Sequence, residues 1–307
     1  MLFSIVIPTF NRAEAIGGTL SSVIEQDFED FECIIVDDGS KDYEDLSAVV
    51  AAFNDDRIVL ISQENGGGGA ARNAGILAAR GKWVCFLDSD DAFLPNKLST
   101  IAAAIKISPD VNVWSHFTKM ERGNNVSIVR PRRIPRAEES VSAMMFKERE
   151  FLQTSTLTVE TAFARKVLFD SGLRKAQDVD FMWRAELNGL KLGFVPIVLS
   201  IWNDRPAANR VGSPRKAAAV QNWFDRNKHR MSVDIRRSFE ATYLAYEISR
   251  LRPWRSILYI SRATACGYIS MRMAGVTMLR CFLPGRLYRF LVDRVLNGRL
   301  KVKSSWR

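Results

Sequence analysis

The first ninety residues alternate between short apolar runs and amphipathic stretches. The apolar runs, rich in β-branched residues, are 3–8, 32–36, 57–62 and 82–88. The stretches between them have helical spacing of apolar residues over 13–26, 42–53 and 70–79. Strands that alternate with helices of this length predict a parallel sheet covered by helices on both faces. In an open sheet of this kind, ligands bind beyond the carboxyl ends of the strands.

Carboxylates follow the fourth apolar run directly. The run ends in Asp88-Ser89-Asp90-Asp91, and burying this much negative charge is unfavourable unless a cation binds there. Carboxylates one residue apart suit Mg²⁺ or Mn²⁺, which usually share their remaining coordination sites with substrate phosphates. We interpret Asp88 and Asp90 as a nucleotide and metal site. An acidic turn or a helix N-cap remains the alternative, because Asp is common in both.

Five segments together carry a resemblance to a known family. They are 5–12 (IVIPTFNR), 34–40 (IIVDDGS), 71–75 (ARNAG), 86–91 (FLDSDD) and 177–180 (QDVD). In these segments and their order, the chain resembles family 2 glycosyltransferases with the GT-A fold, of the kind that builds bacterial surface polysaccharides. The resemblance implies an α/β, Rossmann-like, mostly parallel sheet with helices on both faces, followed by a C-terminal α-helical extension. We expect a catalytic domain over 1–229, with a nucleotide-sugar-binding half (1–125) and an acceptor half (126–229), and a basic helical extension over 230–307.

The resemblance also implies roles in donor binding. Thr9 and the Asp37-Asp38 pair would hold the base and ribose of a nucleotide sugar, since a carboxylate only accepts hydrogen bonds and so suits uracil N3–H and ribose hydroxyls. Asp38 precedes a glycine, so a turn residue is the alternative for it. A glycine run occupies residues 66–69. Arg72, on the helix after this run, would bind phosphate or a neighbouring carboxylate. The glycine run lacks the third glycine and the position after the first strand that a dinucleotide-binding loop requires.

The catalytic base is expected in the last of the five segments. The family pattern makes Asp178 the base that accepts the proton of the acceptor hydroxyl and gives Asp180 a structural or capping role; a helix cap is the alternative for Asp178. This chain has Gln177 where the family usually has Glu. A neighbouring Glu would raise the pKa of Asp178, so its absence predicts a slightly weaker base. Members of the family invert the anomeric centre, so no enzyme nucleophile is expected.

Net charge separates the end of the chain from the rest. Residues 230–307 contain sixteen Lys and Arg against four Asp and Glu, whereas residues 1–229 contain 28 against 30. Helices are predicted over 230–250, 253–274 and 286–297, without 18 uninterrupted apolar residues that would span a bilayer. A basic, aromatic-rich segment of this kind can lie on an anionic membrane surface. Packing of these helices on the catalytic domain, with a solvated basic face, is the alternative; we expect no nucleic-acid partner.

The remaining inventory excludes other chemistries. The two histidines, His116 and His229, lie far apart and away from cysteine, so they provide neither a zinc site nor a serine-type triad. Four cysteines without CxxC spacing indicate reduced thiols in the cytosol. We therefore expect a cytoplasmic protein, peripheral on the inner face of the plasma membrane, without a leader peptide. It would use Mn²⁺ or Mg²⁺ to move a hexose from a nucleotide-sugar donor, taken to be a UDP-sugar, to a glycan or lipid-linked glycan acceptor.

Two other functional classes stay open on the sequence. One is a nucleotide-sugar-binding partner protein without transfer activity, against which the intact Asp90 and Asp178 argue. The other is a nucleotidyltransferase on a similar sheet, which would make a nucleotide sugar from a sugar phosphate and a nucleoside triphosphate.

Overall fold

A computed structural model of the 307-residue chain describes residues 1–123, 126–173, 176–204, 214–285, 287–288 and 290–292. The chain divides into two compact units. Unit 1 comprises Met1–Glu121, Val129–Pro135 and Leu152–Asp204, and unit 2 comprises the described residues of Arg122–Ile128, Arg136–Phe151 and Arg205–Arg307. The expected division into a donor half, an acceptor half and an extension stays a functional prediction.

Nine strands are present in the described residues. They are β1 (Phe3–Thr9), β2 (Phe31–Asp37), β3 (Ile58–Ser62), β4 (Trp83–Phe86), β5 (Ala92–Phe93), β6 (Val113–Glu121), β7 (Ser127–Arg130), β8 (Thr158–Glu160) and β9 (Leu192–Asn203). Within unit 1 the sheet has the order β3-β2-β1-β4-β8-β6-β9-β5. The pairs among β3, β2, β1 and β4 are parallel, as is β6 with β9, whereas β8 is antiparallel to both of its neighbours and β5 to β9. The sheet is therefore mixed, and its first four strands follow the predicted parallel pattern.

The described helices are numbered in chain order. They are α1 (Ala13–Ile24), α2 (Tyr43–Ala52), α3 (Gly68–Ala78), α4 (Lys97–Ile107), α5 (Val141–Glu148), α6 (Thr161–Val167), α7 (Gln177–Leu187), α8 (Pro214–Asn227), α9 (Val233–Phe239), α10 (Ala245–Ile248), α11 (Pro253–Ala265) and α12 (Met271–Phe282). A π-helical segment, Glu240–Leu244, joins α9 to α10. Helices α5 and α8–α12 belong to unit 2, and the others to unit 1.

The core of unit 1 lies around β1 and β2. All seven residues of β2 are buried, because both faces of this strand are covered. Gly75 lets α3 approach β1 closely, since a Cβ added there would lie 2.3 Å from Val6 Cγ1. Phe169 stacks on Phe181 with ring centroids 4.4 Å apart, and Phe86 meets both rings edge to face. These contacts fix the ends of β4 and the start of α7, which carry the candidate active-site residues.

Unit 2 has a separate core built from small residues. Ala241 and Ala245 pack against residues of α11 and α12, including Ile260 and Ala263. Small side chains allow helices to approach closely, so α10, α11 and α12 form a tight cluster.

The prediction of one continuous helix over 253–274 is wrong, because two helices cover this range. The chain leaves the helix after Ala265, adopts a left-handed conformation at Gly267 (φ +71°) and starts α12 at Met271. The Ser270 hydroxyl accepts a hydrogen bond from the Met273 amide at 3.1 Å and caps the new helix. The expected last helix, 286–297, lies largely outside the described residues. Across the helices that the structure describes, none combines the length and the hydropathy needed to cross a bilayer.

Candidate active site

The carboxyl ends of three parallel strands meet at one edge of the sheet in unit 1. Thr9, the last residue of β1, pairs in register with Asp37, the last residue of β2. The pairing of β1 with β4 extends beyond β4, because the Leu87 amide donates to the Val6 carbonyl at 3.0 Å. Asp88 follows directly. The register therefore places Thr9, Asp37 and Asp88 along the same edge.

Thr9 and Asp37 are both almost fully buried. The Asp37 carboxylate accepts hydrogen bonds from the Ser62 hydroxyl at 3.0 Å and from the Ser40 amide at 3.3 Å. The Thr9 hydroxyl has no hydrogen-bond partner among the residues that the structure describes. A buried hydroxyl without a partner is unfavourable, so a ligand that hydrogen-bonds to it at this edge would stabilise the site. The nucleotide-binding role of the two residues stays a prediction.

Asp38 organises the glycine run. Its carboxylate accepts hydrogen bonds from the Gln63 side-chain amide at 2.8 Å and from the amides of Gly66 (2.8 Å) and Gly67 (2.7 Å). Gly67 has φ +87°, which favours glycine, and a Cβ on Gly66 would lie 2.7 Å from that of Ala70. These bonds hold Asp38 to the glycine run, and both its turn alternative and its contact with the nucleotide stay predictions.

Arg72 links the two acidic segments of the site. It is 8% exposed, and its guanidinium donates to Asp88 Oδ1 at 2.5 Å and to Gln177 Oε1 at 2.7 Å. Its guanidinium carbon lies 5.4 Å from the centroid of the Phe169 ring. Gln177 in turn donates to the Leu173 carbonyl at 2.6 Å, so both ends of this amide are held. The arginine predicted for phosphate or carboxylate contact thus binds Asp88, the first carboxylate of residues 88–91, which we call the metal loop after its predicted role.

Asp88 and Asp90 are each paired with an arginine. Asp90 Oδ2 accepts a hydrogen bond from Arg12 Nη1 at 2.8 Å, and its side chain is a quarter exposed. Arg12 is the last residue of the first motif segment, 5–12, and the motif alone indicated no role for it. Both carboxylates therefore already lie against positive charge at the edge of the sheet.

The donor set fits a divalent cation that shares its ligands with substrate. Among the described residues, no group of three or more His, Cys, Asp and Glu side chains could hold a metal ion. Two carboxylates are nevertheless a common protein contribution to Mg²⁺ or Mn²⁺, because phosphate oxygens and water complete the coordination. Asp90 is the better placed of the two, because its Oδ1 lies outside its ion pair, whereas Asp88 has Oδ1 on Arg72 and Oδ2 at 3.4 Å from Gln153 Nε2.

Asp178 lies in the first turn of α7 and is half-buried. Loss of water around the carboxylate raises its pKa, and the negative charge of Asp88 raises it further, whereas the Val179 amide, donating at 2.9 Å, and the charge of Arg72 lower it. The net direction is upward. A raised pKa makes a carboxylate a stronger proton acceptor, which is the property expected of a general base.

Asp180, two residues further along α7, has a different environment. It is buried, and its Oδ2 accepts hydrogen bonds from Arg184 Nε at 2.8 Å and Nη2 at 2.6 Å. The same guanidinium donates to the carbonyls of Val167 and Leu168. Asp180 therefore fastens α7 to the end of α6 and is not free to accept a proton from substrate.

The sequence motifs did not indicate two residues that hydrogen-bond to the metal loop, Gln153 and Ser155. Asp91 is 3% exposed, and its Oδ2 accepts hydrogen bonds from Gln153 Nε2 and Ser155 Oγ, each at 2.7 Å. The Ser155 hydroxyl also accepts from the Asp88 amide at 3.0 Å. Burial, together with the charges of Asp88 and Asp90, raises the pKa of Asp91 to about 7. No local signal identifies Gln153 and Ser155, because they lie more than sixty residues away in the chain.

A buried lysine lies beneath the same network. Lys97 is fully buried, its Nζ lies 3.5 Å from the centroid of the Phe93 ring, and it donates to the Ser155 carbonyl at 3.3 Å. Burial lowers the pKa of Lys97 to about 8. The turn that carries Ser155 is thus held on one side by a lysine and on the other by the metal loop.

Comparison with known proteins identifies the family that these motifs indicated. The model of glycosyl transferase family 2 matches residues 4–171. The amylovoran biosynthesis glycosyltransferase AmsB of Erwinia amylovora is 32% identical over 262 residues, covering 80% of this chain and 83% of the relative. The UDP-Glc:alpha-D-GlcNAc-diphosphoundecaprenol beta-1,3-glucosyltransferase WfgD of Escherichia coli is 36% identical over 129 residues, covering 42% of this chain and 49% of the relative.

Solved structures show the same fold. TarS 1-349 of S. aureus in complex with UDP-GlcNAc superposes with a TM-score of 0.65 at 18% identity, covering 99% of this chain and 92% of that one. The mannosyltransferase PcManGT of Pyrobaculum calidifontis, in complex with GDP-Man and Mn²⁺, gives a TM-score of 0.59 at 17% identity, covering 99% and 87%. At these identities the likeness shows the fold alone. The expected GT-A fold with a helical C-terminal region is confirmed.

Proposed function

The chain belongs to glycosyl transferase family 2, and from this premise we propose that it transfers a hexose from a UDP-sugar, with inversion, to a hydroxyl of a growing, lipid-linked polysaccharide unit. The observation that carries the proposal is the link through Arg72 between the carboxylates of the metal loop and the helix of Asp178. This link supports a single site in which a diphosphate would bind beside the proton acceptor.

The residues divide the reaction between them. Asp178 accepts the proton of the acceptor hydroxyl, whose oxygen then attacks the anomeric carbon from the side opposite the diphosphate. The bond from that carbon to the phosphate oxygen breaks, and the nucleoside diphosphate leaves with the electron pair. Arg72, together with Arg12 beside Asp90, lies where it can neutralise charge on the leaving diphosphate.

Asp90 and Asp88 would hold Mn²⁺ or Mg²⁺ together with the diphosphate oxygens. When bound, the ion supplies a Lewis acid for the developing phosphate charge. Thr9, Asp37 and Asp38 would bind the base and ribose. The names of two relatives support the substrate classes, since WfgD is named for a UDP-Glc donor and a diphosphoundecaprenol acceptor, and AmsB for amylovoran biosynthesis.

A lipid-linked acceptor places the reaction at a membrane surface. We propose that the protein acts as a peripheral protein on the inner face of the plasma membrane, held there in part by the C-terminal helices.

The test is release of nucleoside diphosphate. The purified chain is incubated with Mn²⁺ and a panel of UDP-, GDP- and dTDP-sugars, with and without a bacterial lipid extract. Release from a UDP-hexose that increases with the extract and stops with EDTA is the expected result. Donor binding by calorimetry without release under any condition would instead support a nucleotide-sugar-binding protein. Formation of a nucleotide sugar from sugar phosphate and nucleoside triphosphate would support a nucleotidyltransferase.

A further inference from the structure

Unit 2 exposes an apolar surface on its last helices. Trp254 and Leu258 lie four residues apart on α11, and Val276, Leu279 and Phe282 lie three apart on α12, so each set shares one helix face. All five are exposed, Trp254 to 81%. Leu287, Phe290 and Leu291 after α12 are exposed as well. We call these eight residues the apolar face.

The apolar face is the side of the helices that the core of unit 2 leaves uncovered. Ile260 and Ala263 of α11 and Met273 and Cys281 of α12 are buried in that core. Both helices therefore have one face satisfied by packing within unit 2. Exposed apolar side chains that share a helix face, as on α11 and on α12, are typical of a surface that binds something apolar.

The charged residues in the segment of sequence that carries the apolar face are of one sign. Between Glu247 and Asp293 the chain contains eight arginines and no Asp, Glu, Lys or His. Five of the arginines are exposed on or beside α11 and α12: Arg250, Arg252, Arg255, Arg262 and Arg272. An interacting surface must therefore offer both hydrocarbon and negative charge.

We propose that the apolar face docks on an anionic phospholipid bilayer, with the aromatic and aliphatic side chains at the acyl boundary and the arginines on lipid phosphates. The proposal rests on the proposed function, since it brings the enzyme to the surface that carries a lipid-linked acceptor. Helices with an apolar face and a basic flank lie in the membrane interface in this way. A two-fold dimer through the same face would bring arginines of both copies together, which costs energy that an anionic leaflet does not impose.

Sedimentation of the full chain with vesicles tests the proposal. One set of vesicles is pure phosphatidylcholine, and in the other a third of the lipid is phosphatidylglycerol. We expect binding to the anionic vesicles, weakened by salt. The triple variant Arg255→Gln/Arg262→Gln/Arg272→Gln should bind them about 100-fold more weakly, because each arginine near the surface contributes about fivefold and the three factors multiply. The variant Trp254→Ser/Leu258→Ser/Leu279→Ser should lose binding to a comparable extent.

A matched control substitutes exposed apolar residues of unit 1. Leu77→Ser/Ile107→Ser removes side chains that are 62% and 82% exposed and should leave vesicle binding unchanged. Equal binding by all variants, or no binding by the parent chain, would overturn the proposal. So would a dimer in analytical ultracentrifugation that the serine variant converts to monomer while the parent binds no vesicles.

Different results would contradict the proposed transferase activity and the proposed docking surface. Vesicle binding without diphosphate release from any donor would count against the transferase and leave the docking surface standing. Diphosphate release with a soluble acceptor, in a chain that binds no vesicles, would retain the transferase and remove the docking surface.

Discussion

Two regions of the molecule differ in how their charged side chains are paired. One is the edge of the sheet in unit 1 that carries Asp88, Asp90 and Asp91, which we call the carboxylate edge, and the other is the apolar face of unit 2. At the carboxylate edge each acid has a partner: Asp88 has Arg72, Asp90 has Arg12, and Asp91 has Gln153 and Ser155. Around the apolar face, eight arginines occur in a stretch of sequence without a single acid. The first pattern suits the fixed site that we propose for an ion and a nucleotide, whereas the second suits the docking surface that we propose for a membrane. The pairing of charged side chains within the protein therefore distinguishes the two proposed sites, and net charge alone does not.

The largest effect is expected at Asp178, the proposed catalytic base, and it should be confined to unit 1. Asp178→Asn removes the proton acceptor, so the rate of transfer should fall by about 100- to 10,000-fold. Donor binding by calorimetry and binding to anionic vesicles should both persist. The control is Asp110→Asn, which changes an exposed aspartate of the same unit. Transfer at the parent rate in Asp178→Asn would show that another group accepts the proton.

Activity is recorded against pH in the same experiment. Because the pKa of Asp178 is raised above its ordinary value, the base is protonated and inactive at low pH, and kcat/KM should rise with pH through that raised pKa. A pH profile without an acidic limb above the ordinary range of aspartate would contradict the assignment.

An intermediate effect is expected at Ser155, which hydrogen-bonds to the metal loop. Ser155→Ala removes the hydroxyl that joins Asp91 to the Asp88 amide. Partners that orient metal ligands typically change metal affinity by about 10- to 100-fold. Mn²⁺ binding in the presence of UDP, measured by electron paramagnetic resonance, should weaken by that factor while UDP binding without metal changes little.

Ser4→Ala is a closely matched control for Ser155→Ala. The Ser4 hydroxyl donates to Glu32 at 2.7 Å and accepts from the Gly81 amide at 2.8 Å, the same pair of bonds at a distance from the metal loop. Each variant should lose about 1–3 kcal/mol of unfolding free energy. If both variants weaken Mn²⁺ binding equally, the effect is one of general stability and Ser155 has no special role in the site.

The smallest effect is expected at Gln177, which stands where the family usually has Glu. Gln177→Glu places a carboxylate beside Arg72 and next to Asp178 in the chain, and a like charge disfavours the ionised form of Asp178. The acidic limb of kcat/KM should therefore move to higher pH, by on the order of one unit or less. Gln177→Asn, which changes length without charge, should leave the limb in place. A shift to lower pH would mean that the new carboxylate acts mainly by redirecting Arg72.

Local pattern accounts for much of the fold but not for the second unit's helices. The alternation of strands and helices up to β4 follows from apolar spacing, and the sequence predicted it. The predicted helix over 253–274 is interrupted because Gly267 takes a left-handed conformation and Ser270 caps a new helix. Apolar spacing continues across this break, so periodicity alone does not reveal it. The antiparallel strand β8, inserted between β4 and β6, likewise has no local signal in three residues.

The sequence by itself determined which carboxylates end the strands, because strand length and the order of the motifs are local properties. It therefore identified the positions of Asp37, Asp88 and Asp90 and the family to which they point. Only the tertiary structure decided which groups face them. Arg72 meets Gln177 across 105 residues of chain, and Ser155 meets Asp91 across 64. Contacts at such separation depend on how strands are ordered in the sheet, and that order is set by the packing of the whole unit.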